Sequence, residues 1–575
     1  MRTAFSRRAR RVAACTALAL SAGMLLATPA SADQGTRPVA EQPTRLFTQP
    51  AKPDLSQLGA GKARAGRAAT AEGVSPVRFD VDGDGQGDLI YRAWDGATYT
   101  APSSSAERGE FFGDDGNAAP ALDMVPIGDQ DGNGTPEVLV LSPYGTLRMY
   151  SDASPTWATY RWQGGGWTIY NKVFSPGDVN GDGRADVMGR QHNGDLYLYL
   201  ATGNASAPLG ARAKVGNGWN IYDQLVGVGD NDGDGKGDVL GRSYDGKLWF
   251  YGSTGSTTSP FEGRVEVGQG WTVYNQLIAV DDLDGDGAAE LFARDRAGAL
   301  WAYQGLGNGR MAPRVMIADK GAFRSVDQFG GGGTIPAYGK NALTGRDSKG
   351  SLFWYGAMND GLLSPRDQVG DSGVWAGANL TFASSLDDSG FPVMMQIFEN
   401  RLYNNFTGND HGSGWGVYNL LVGPGDLSGD GKGDLLARDG AGNLYLYRGD
   451  GTGYSLATRI RIGAGWGAYN RIVGAGDYSG DGRADIVARD GSGNLYLYRG
   501  TGSASAPFMA KVRIGSGWNT YSKLVAPGDL DSDGKAELLG VTAAGELYRY
   551  SPTGSASFGP RAKIGTGWQI YNAVY

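Results

Sequence analysis

The chain has 575 residues, 41% of them hydrophobic, with 96 glycines and a formal net charge of −8. That length and apolar content allow several domains or one large repetitive one, and exclude a small single-core module. The only cysteine is Cys15, and no apolar segment downstream of the N-terminal region approaches the roughly 20 residues of a membrane-spanning helix. Residues 1–32 combine five arginines, an apolar run from Val12 and the small-residue end Ala30-Ser31-Ala32. They read as a secretory signal peptide cleaved near Ala32, sending the protein out of the cell. Cleavage removes Cys15, so disulfides are excluded and an exported protein needs another cross-link. It also removes five positive charges, taking −8 to −13. Residues 33–75 are rich in Pro, Ala, Gly and Thr without apolar periodicity, and read as a disordered linker or pro-segment.

From residue 76 a motif returns, shown well by "DVNGDGRAD" at 178–186. Its copies begin at Asp80, Asp129, Asp178, Asp230, Asp282, Asp426, Asp477 and Asp529, 49 to 52 residues apart on either side of one gap. Carboxylates this dense repel unless a cation sits among them. Oxygen side chains at alternate positions, a glycine at the sixth and an acid at the ninth suit an oxygen cage for calcium. Between the loops lie segments of strand character, as in "YNLLVG", "GDLLARD", "NLYLYRG" and "TRIRIG" from Tyr418 onward. Both faces of "LYLYR" are apolar, as for a strand with packed neighbours on either side. A period of about 50 residues with these features predicts an all-β propeller of four-stranded blades.

Phe323 and Trp375 continue the repeat phase through the gap, so 311–410 reads as two degenerate units without calcium loops. About ten units result. The first lacks an opening segment and the chain ends on a surplus one, "IGTGWQIYNAVY". The expectation is one ring closed by the C-terminal strand, with two smaller propellers divided near residue 310 as the alternative.

"DVNGDGRADVMGRQHNGDLYLYLATG" resembles the VCBS/FG-GAP repeat, the calcium-binding blade related to integrin alpha heads. "GxGWxxYN" and "GxLYLYRG" resemble the repeats of tachylectin-type propeller lectins. The resemblance implies up to eight calcium ions. The implied ligands are Asp80, Asp82, Asp84 and Asp88; Asp129, Asp131, Asn133 and Glu137; Asp178, Asn180, Asp182 and Asp186; and Asp230, Asp232, Asp234 and Asp238. The series continues with Asp282, Asp284, Asp286 and Glu290; Asp426, Ser428, Asp430 and Asp434; Asp477, Ser479, Asp481 and Asp485; and Asp529, Asp531, Asp533 and Glu537. Ser428 and Ser479 depart from the acidic pattern, which should weaken their sites. Eight ions would add sixteen charges and turn −13 into about +3, so the acidity says little about partners.

Seven tryptophans follow Gly-x-Gly, among them Trp219, Trp271, Trp415 and Trp466. With Tyr222, Tyr274, Tyr418, Tyr469, Asn275, Asn419 and Asn470 they suit sugar stacking with polar readout; the same pattern also suits packing between blades. Arg190, Arg242, Arg294, Arg346, Arg438 and Arg489 follow the loops and would either bind anionic glycans in a channel or pair with adjacent turns. His192 and His411 are the only histidines, and no nucleophile motif or zinc cluster appears. The chain therefore reads as a non-enzyme: a multivalent, lectin-like binder of carbohydrate or cell-surface ligands, with neither a nucleic-acid partner nor membrane insertion. A protein-binding adhesion scaffold is the alternative, and a polysaccharide-processing enzyme the third reading.

Overall fold

A single repeat shows how sequence becomes blade. Tyr418–Gly425, Asp434–Asp439, Leu444–Arg448 and Ile460–Gly463 form one antiparallel sheet in chain order, with Val422 opposite Leu436, Leu436 opposite Leu446 and Leu446 opposite Ile460. Turn residues separate the strands, and the acidic loop joins the first two. Leu444 and Leu446 are buried on one face while Tyr445 and Tyr447 are half-buried on the other. The blade thus has an apolar surface on both sides, and burial of each at ~25 cal/mol per Å² drives blades face to face.

The computed structural model describes residues 37–38, 47–58, 77–111, 121–387, 390–554 and 556–575. The expected signal peptide lies outside them, as does most of the expected linker. Among the described residues are ten sheets. We number blades by their second strands: Leu89–Ala93 (1), Glu137–Leu141 (2), Asp186–Gln191 (3), Asp238–Ser243 (4), Leu291–Asp295 (5), Ala342–Asp347 (6), Val393–Phe398 (7), Asp434–Asp439 (8), Asp485–Asp490 (9) and Glu537–Thr542 (10). Successive blades, blades 5 and 6 excepted, share an apolar cluster, such as Leu436, Leu446, Trp466 and Ile486 between blades 8 and 9.

The clusters make two five-membered rings. Blade 5 packs back onto blade 1 through Phe292 and Leu300 against Leu89 and Tyr91, and blade 10 packs onto blade 6 through Leu539 and Val541 against Leu343 and Ala357. The C-terminal strand Tyr571–Val574 pairs with Ala342–Asp347 of blade 6, not with blade 1 as one large ring requires. Blade 1 is completed by Val326–Phe329. The unit beginning at Phe323 is therefore split: its first strand closes ring 1 and its remaining three open ring 2. Repeat phase alone does not reveal such a split, because the 52-residue spacing runs through it unbroken.

Between the two halves of that unit, Gly330–Gly333 runs along the axis of ring 1. Gly330 donates to the Ile90 carbonyl, Gly331 to that of Met124 and Gly333 to that of Leu277, while Lys172 donates to the Gly332 carbonyl at 2.6 Å. Only glycine fits there: a Cβ on Gly330 would stand 2.3 Å from Ile90 Cγ2, and one on Gly333 2.5 Å from Val226 Cγ2. Part of the expected linker also has a defined place. Phe47, Leu55 and Leu58 pack on the blade 1–blade 5 cluster, Phe47 lying 4.6 Å from the Tyr99 ring. These three apolar residues are too scattered to register as periodicity.

Candidate functional site

Each acidic loop leads into the second strand of its blade, and in every loop-bearing blade but the first it comes directly from the innermost strand. In 178–186, the Asp178 carboxylate accepts the amides of Asn180, Gly181 and Gly183 at 3.1, 2.7 and 2.6 Å, and Asp182 accepts that of Arg184 at 2.9 Å. Asp186 closes the loop from beneath, fully buried, accepting from Val179 at 3.2 Å and Ala201 at 2.9 Å. Backbone donors thus fix the carboxylates of this loop in place. Oxygens of Asp282, Asp284, Asp286 and Glu290 converge within 4.8 Å, as do those of Asp80, Asp82 and Asp88, of Asp129, Asp131 and Glu137, of Asp230, Asp232 and Asp234, and of Asp477, Asp481 and Asp485.

The closing acids carry the electrostatic signature of this arrangement. Burial, and after it the neighbouring carboxylates, pushes Asp88 and Asp186 up to about 7, Glu137 and Asp238 to about 8 and Glu290 to about 9. Buried oxygens Asp82 Oδ1 and Glu137 Oε1 have no hydrogen-bond partner. Converging hard oxygens, raised pKa values and unmatched oxygens together fit a divalent cation with oxygen ligands. At the two serine-bearing loops, Ser428 and Ser479 instead turn their hydroxyls onto Asp426 and Asp477, at 3.4 and 3.3 Å.

Loop 529–537 is arranged differently. Asp531 is fully buried and its carboxylate is paired with Arg549 at 3.2 Å and with Arg296 of ring 1, while Asp533 lies 3.5 Å from Lys535. Protein cations already stand where the resemblance implies a metal.

The loops also separate the rings by exposure. Those of ring 1 lie at the surface, whereas those of blades 8, 9 and 10 face ring 1. Asn171 Nδ2 donates to the Asp481 carbonyl at 2.7 Å, Tyr244 Oη to that of Gly480 at 2.6 Å and Tyr144 Oη to that of Gly451 at 2.6 Å. His192 Nδ1 lies 3.0 Å from the Asp481 carbonyl, and burial, with Arg483 nearby, pushes its pKa down to about 4. A neutral ring in a ring–ring contact has a structural use.

The recurring arginines are staples between blades. Arg438 donates through Nε to Asn419 Oδ1 at 3.0 Å and through Nη1 to the carbonyls of Trp466 and Tyr469 at 3.1 and 2.7 Å, so blade 8 grips the turn that opens blade 9. Arg190, Arg242, Arg294, Arg346 and Arg489 make the corresponding bonds. The asparagine of these Tyr-Asn pairs is thereby explained: Asn171, Asn275, Asn419 and Asn470 each orient an arginine 19 residues downstream, and Asn572 on the closing strand orients Arg346 of the blade it completes. Asn275 has no exposed surface and also donates to the Asn359 carbonyl across the ring boundary, which removes it from any solvent-open site. Asn419 and Asn470 are exposed on the free face of ring 2.

The aromatic residues lie between blades. Trp219, Trp271, Trp415 and Trp466 are at most 8% exposed, and Tyr222, Tyr274, Tyr418 and Tyr469 are buried too. Each tryptophan stacks on a tyrosine of the blade it opens, as Trp415 does on Tyr447 at 4.6 Å. At three junctions a phenylalanine covers this aromatic wall: Phe261 packs on Trp219, Phe508 on Trp466 and Phe558 on Trp518. The bridge position those phenylalanines occupy holds Leu456 at the blade 7–blade 8 junction, as it holds Leu209, Met311 and Leu363 at others. An open cleft of about 920 Å³ lies at the blade 7–blade 8 junction, bringing Trp415 and Tyr418 together with His411, Asp439, Tyr445, Tyr454 and Arg459. Tyr454 is 59% exposed, and His411 Nε2 is buried without a partner. Arg459 donates to Tyr418 Oη at 2.6 Å and lies 4.6 Å from the Tyr445 ring. His411 and Tyr454 have no counterpart in the repeat, whereas Arg459 occupies a recurring basic position, with Arg212, Arg264, Arg314, Lys511 and Arg561, that donates to the equivalent tyrosine hydroxyl of each blade.

Residues 178–241, 426–488 and 477–540 match the family model of the FG-GAP-like repeat. These stretches are FG-GAP-like repeats. They include five of the eight acidic loops, those opening at Asp178, Asp230, Asp426, Asp477 and Asp529. No curated protein sequence matches the chain. Among solved structures, an Agrocybe aegerita lectin described as recognising non-reducing terminal N-acetylglucosamine aligns at 14% identity and a TM-score of 0.21, over 87% of this chain and 96% of its own. The BP39L lectin of Burkholderia pseudomallei aligns at 12% and 0.20, over 78% and 100%, and Saccharomyces cerevisiae Sqt1 at 10% and 0.21, over 78% and 96%.

Proposed function

We propose that the chain is an exported, calcium-stabilised carbohydrate-binding propeller that takes a sugar in the cleft between blades 7 and 8. The observation that carries this reading is Tyr454, a 59% exposed aromatic ring at a cleft of about 920 Å³. A pyranose offers a flat apolar face to such a ring and hydroxyls to the groups beside it. Asp439 and His411 Nε2 supply the acceptor and the unmatched nitrogen, and Arg459 is held in place by Tyr418. Asp178, Asn180, Asp182 and Asp186, with their counterparts in ring 1, would hold calcium, which supplies positive charge among the loop carboxylates and fixes the turn that leads into the second strand of its blade.

A glycan array probed with the full chain tests this. Retention on at least one glycan is expected, weakened roughly fivefold to tenfold by Tyr454→Ala, as losing one aromatic contact of ~1 kcal/mol implies. The melting temperature should stay put, because Tyr454 lies at the surface. Absence of retention on any glycan would overturn the carbohydrate reading in favour of protein adhesion.

A further inference from the structure

Blade 10 departs from the other loop-bearing blades in three places that meet at one point. The fourth loop residue is Ser532, at φ 56°, where every other loop has glycine. Its hydroxyl donates to Asn359 Oδ1 at 2.8 Å on the ring boundary. The third strand reads "LYRY" where blades 3 and 9 read "LYLY": Arg549 stands opposite Leu539 as buried Leu446 stands opposite Leu436. A guanidinium in an apolar slot is costly unless an anion awaits it, and Arg549 Nη1 reaches Asp531 Oδ2 at 3.2 Å. Thirdly, Arg296 from a turn of ring 1 pairs with the same Asp531 and lies 3.4 Å from Asp533. Lys535 completes the set, 3.5 Å from Asp533 and 3.7 Å from Asp223 of ring 1.

We propose that the cation of this loop is the protein's own. Two guanidinium groups and one ammonium group face the four carboxylates of Asp529, Asp531, Asp533 and Glu537, cutting their charge from −4 to −1, and both guanidinium groups hold Asp531 Oδ2, so that Asp531 Oδ1 is the one oxygen of that carboxylate left unmatched and a divalent ion would have to displace protein cations to enter. Blade 10 therefore binds no metal, and its loop fastens ring 2 to ring 1 at any calcium concentration. The chain then has at most seven calcium loops rather than eight.

The proposal rests on the calcium reading of the remaining loops, and counting bound calcium per full-length chain, at the lowest free calcium that saturates the native protein, separates the two. Asp284→Asn should lower the count by one and Asp531→Asn should leave it unchanged. The double variant Arg296→Ala/Arg549→Leu, which gives blade 10 the leucine of its neighbours, should raise it by one. A lower count in Asp531→Asn, or no rise in the double variant, overturns the proposal. If Asp284→Asn loses nothing because the native chain binds no calcium, the calcium reading itself fails and takes the proposal with it.

Discussion

The two rings are built from the same repeat and present opposite faces to water. Ring 1 exposes its acidic loops and buries its Tyr-Asn face; ring 2 buries its loops against that face and exposes its own Tyr-Asn face. Such head-to-tail stacking does not close on itself, so a third ring could in principle add to the free end. The turns joining second to third strands show why it need not. In ring 1 they carry Tyr144, His192, Tyr244 and Arg296, and every one contacts ring 2. In ring 2 the corresponding turns carry Ser348, Gly440, Gly491 and Ala543. A shared repeat sets the blade, and single turn residues decide which face becomes an interface.

Removing calcium should break this comparison most visibly. An ion at a thousand times its dissociation constant stabilises the native state by about 4 kcal/mol per site. Several sites in ring 1 should therefore shift the melting temperature by many degrees on chelation. Hydrogen exchange should report the loss first in the exposed loops of ring 1, and last in 529–537. Equal loss of protection across both rings would erase the distinction.

The metal-free protein should also respond to pH in an unusual direction. Asp88, Glu137, Asp186, Asp238 and Glu290 have folded-state pKa values of about 7 to 9, above those of the unfolded chain. A carboxyl group raised by folding stabilises fully below its unfolded pKa, roughly 4, and that contribution is lost as pH climbs through the folded value. Calcium-free protein should thus melt higher at pH 5 than at pH 8.5, and saturating calcium should shrink or invert the difference. A flat profile without calcium would contradict the burial of these acids.

The smallest effect sharpens the contrast between the two Tyr-Asn faces. Arg190 is 1% exposed beneath ring 2, whereas Arg438 makes the same three bonds at the free face. Arg190→Ala should cost about 3–5 kcal/mol, as loss of a buried charged staple does. Arg438→Ala, with water able to replace its bonds, should cost about 1–2 kcal/mol. Asn419→Ala should cost less again, without the selective loss of glycan binding that a role in sugar readout would produce. Denaturant melts of the three variants measure the ranking.

Much of this architecture was legible in the repeat itself. Strand boundaries, acidic loops and blade count follow from Gly-x-Gly-Trp spacing and alternating apolar residues, which are local properties. Ring number was not legible, because Val326–Phe329 pairs with a strand more than 200 residues earlier while keeping repeat phase. The polar half of the Tyr-Asn pair was also misleading. Seen alone beside Trp and Tyr it suggests sugar readout; its partner, an arginine 19 residues on, was visible only as a separate recurrence. Arg549 and Ser532 stood in the sequence as plain departures, but the cation they serve comes partly from Arg296, in another ring.

The strand that closes each ring is the last of that ring to leave the ribosome. Val326–Phe329 is available while ring 2 is still being synthesised, and Gly330–Gly333 then threads the axis it has just completed. Ring 1 can therefore finish as a unit and offer its Tyr-Asn face as a template before any loop of blades 8 to 10 exists. Ring 2 must hold four blades and part of a fifth until Tyr571–Val574 arrives. The order of assembly is written into the chain as a direction, with the first ring serving as the surface on which the second is gathered.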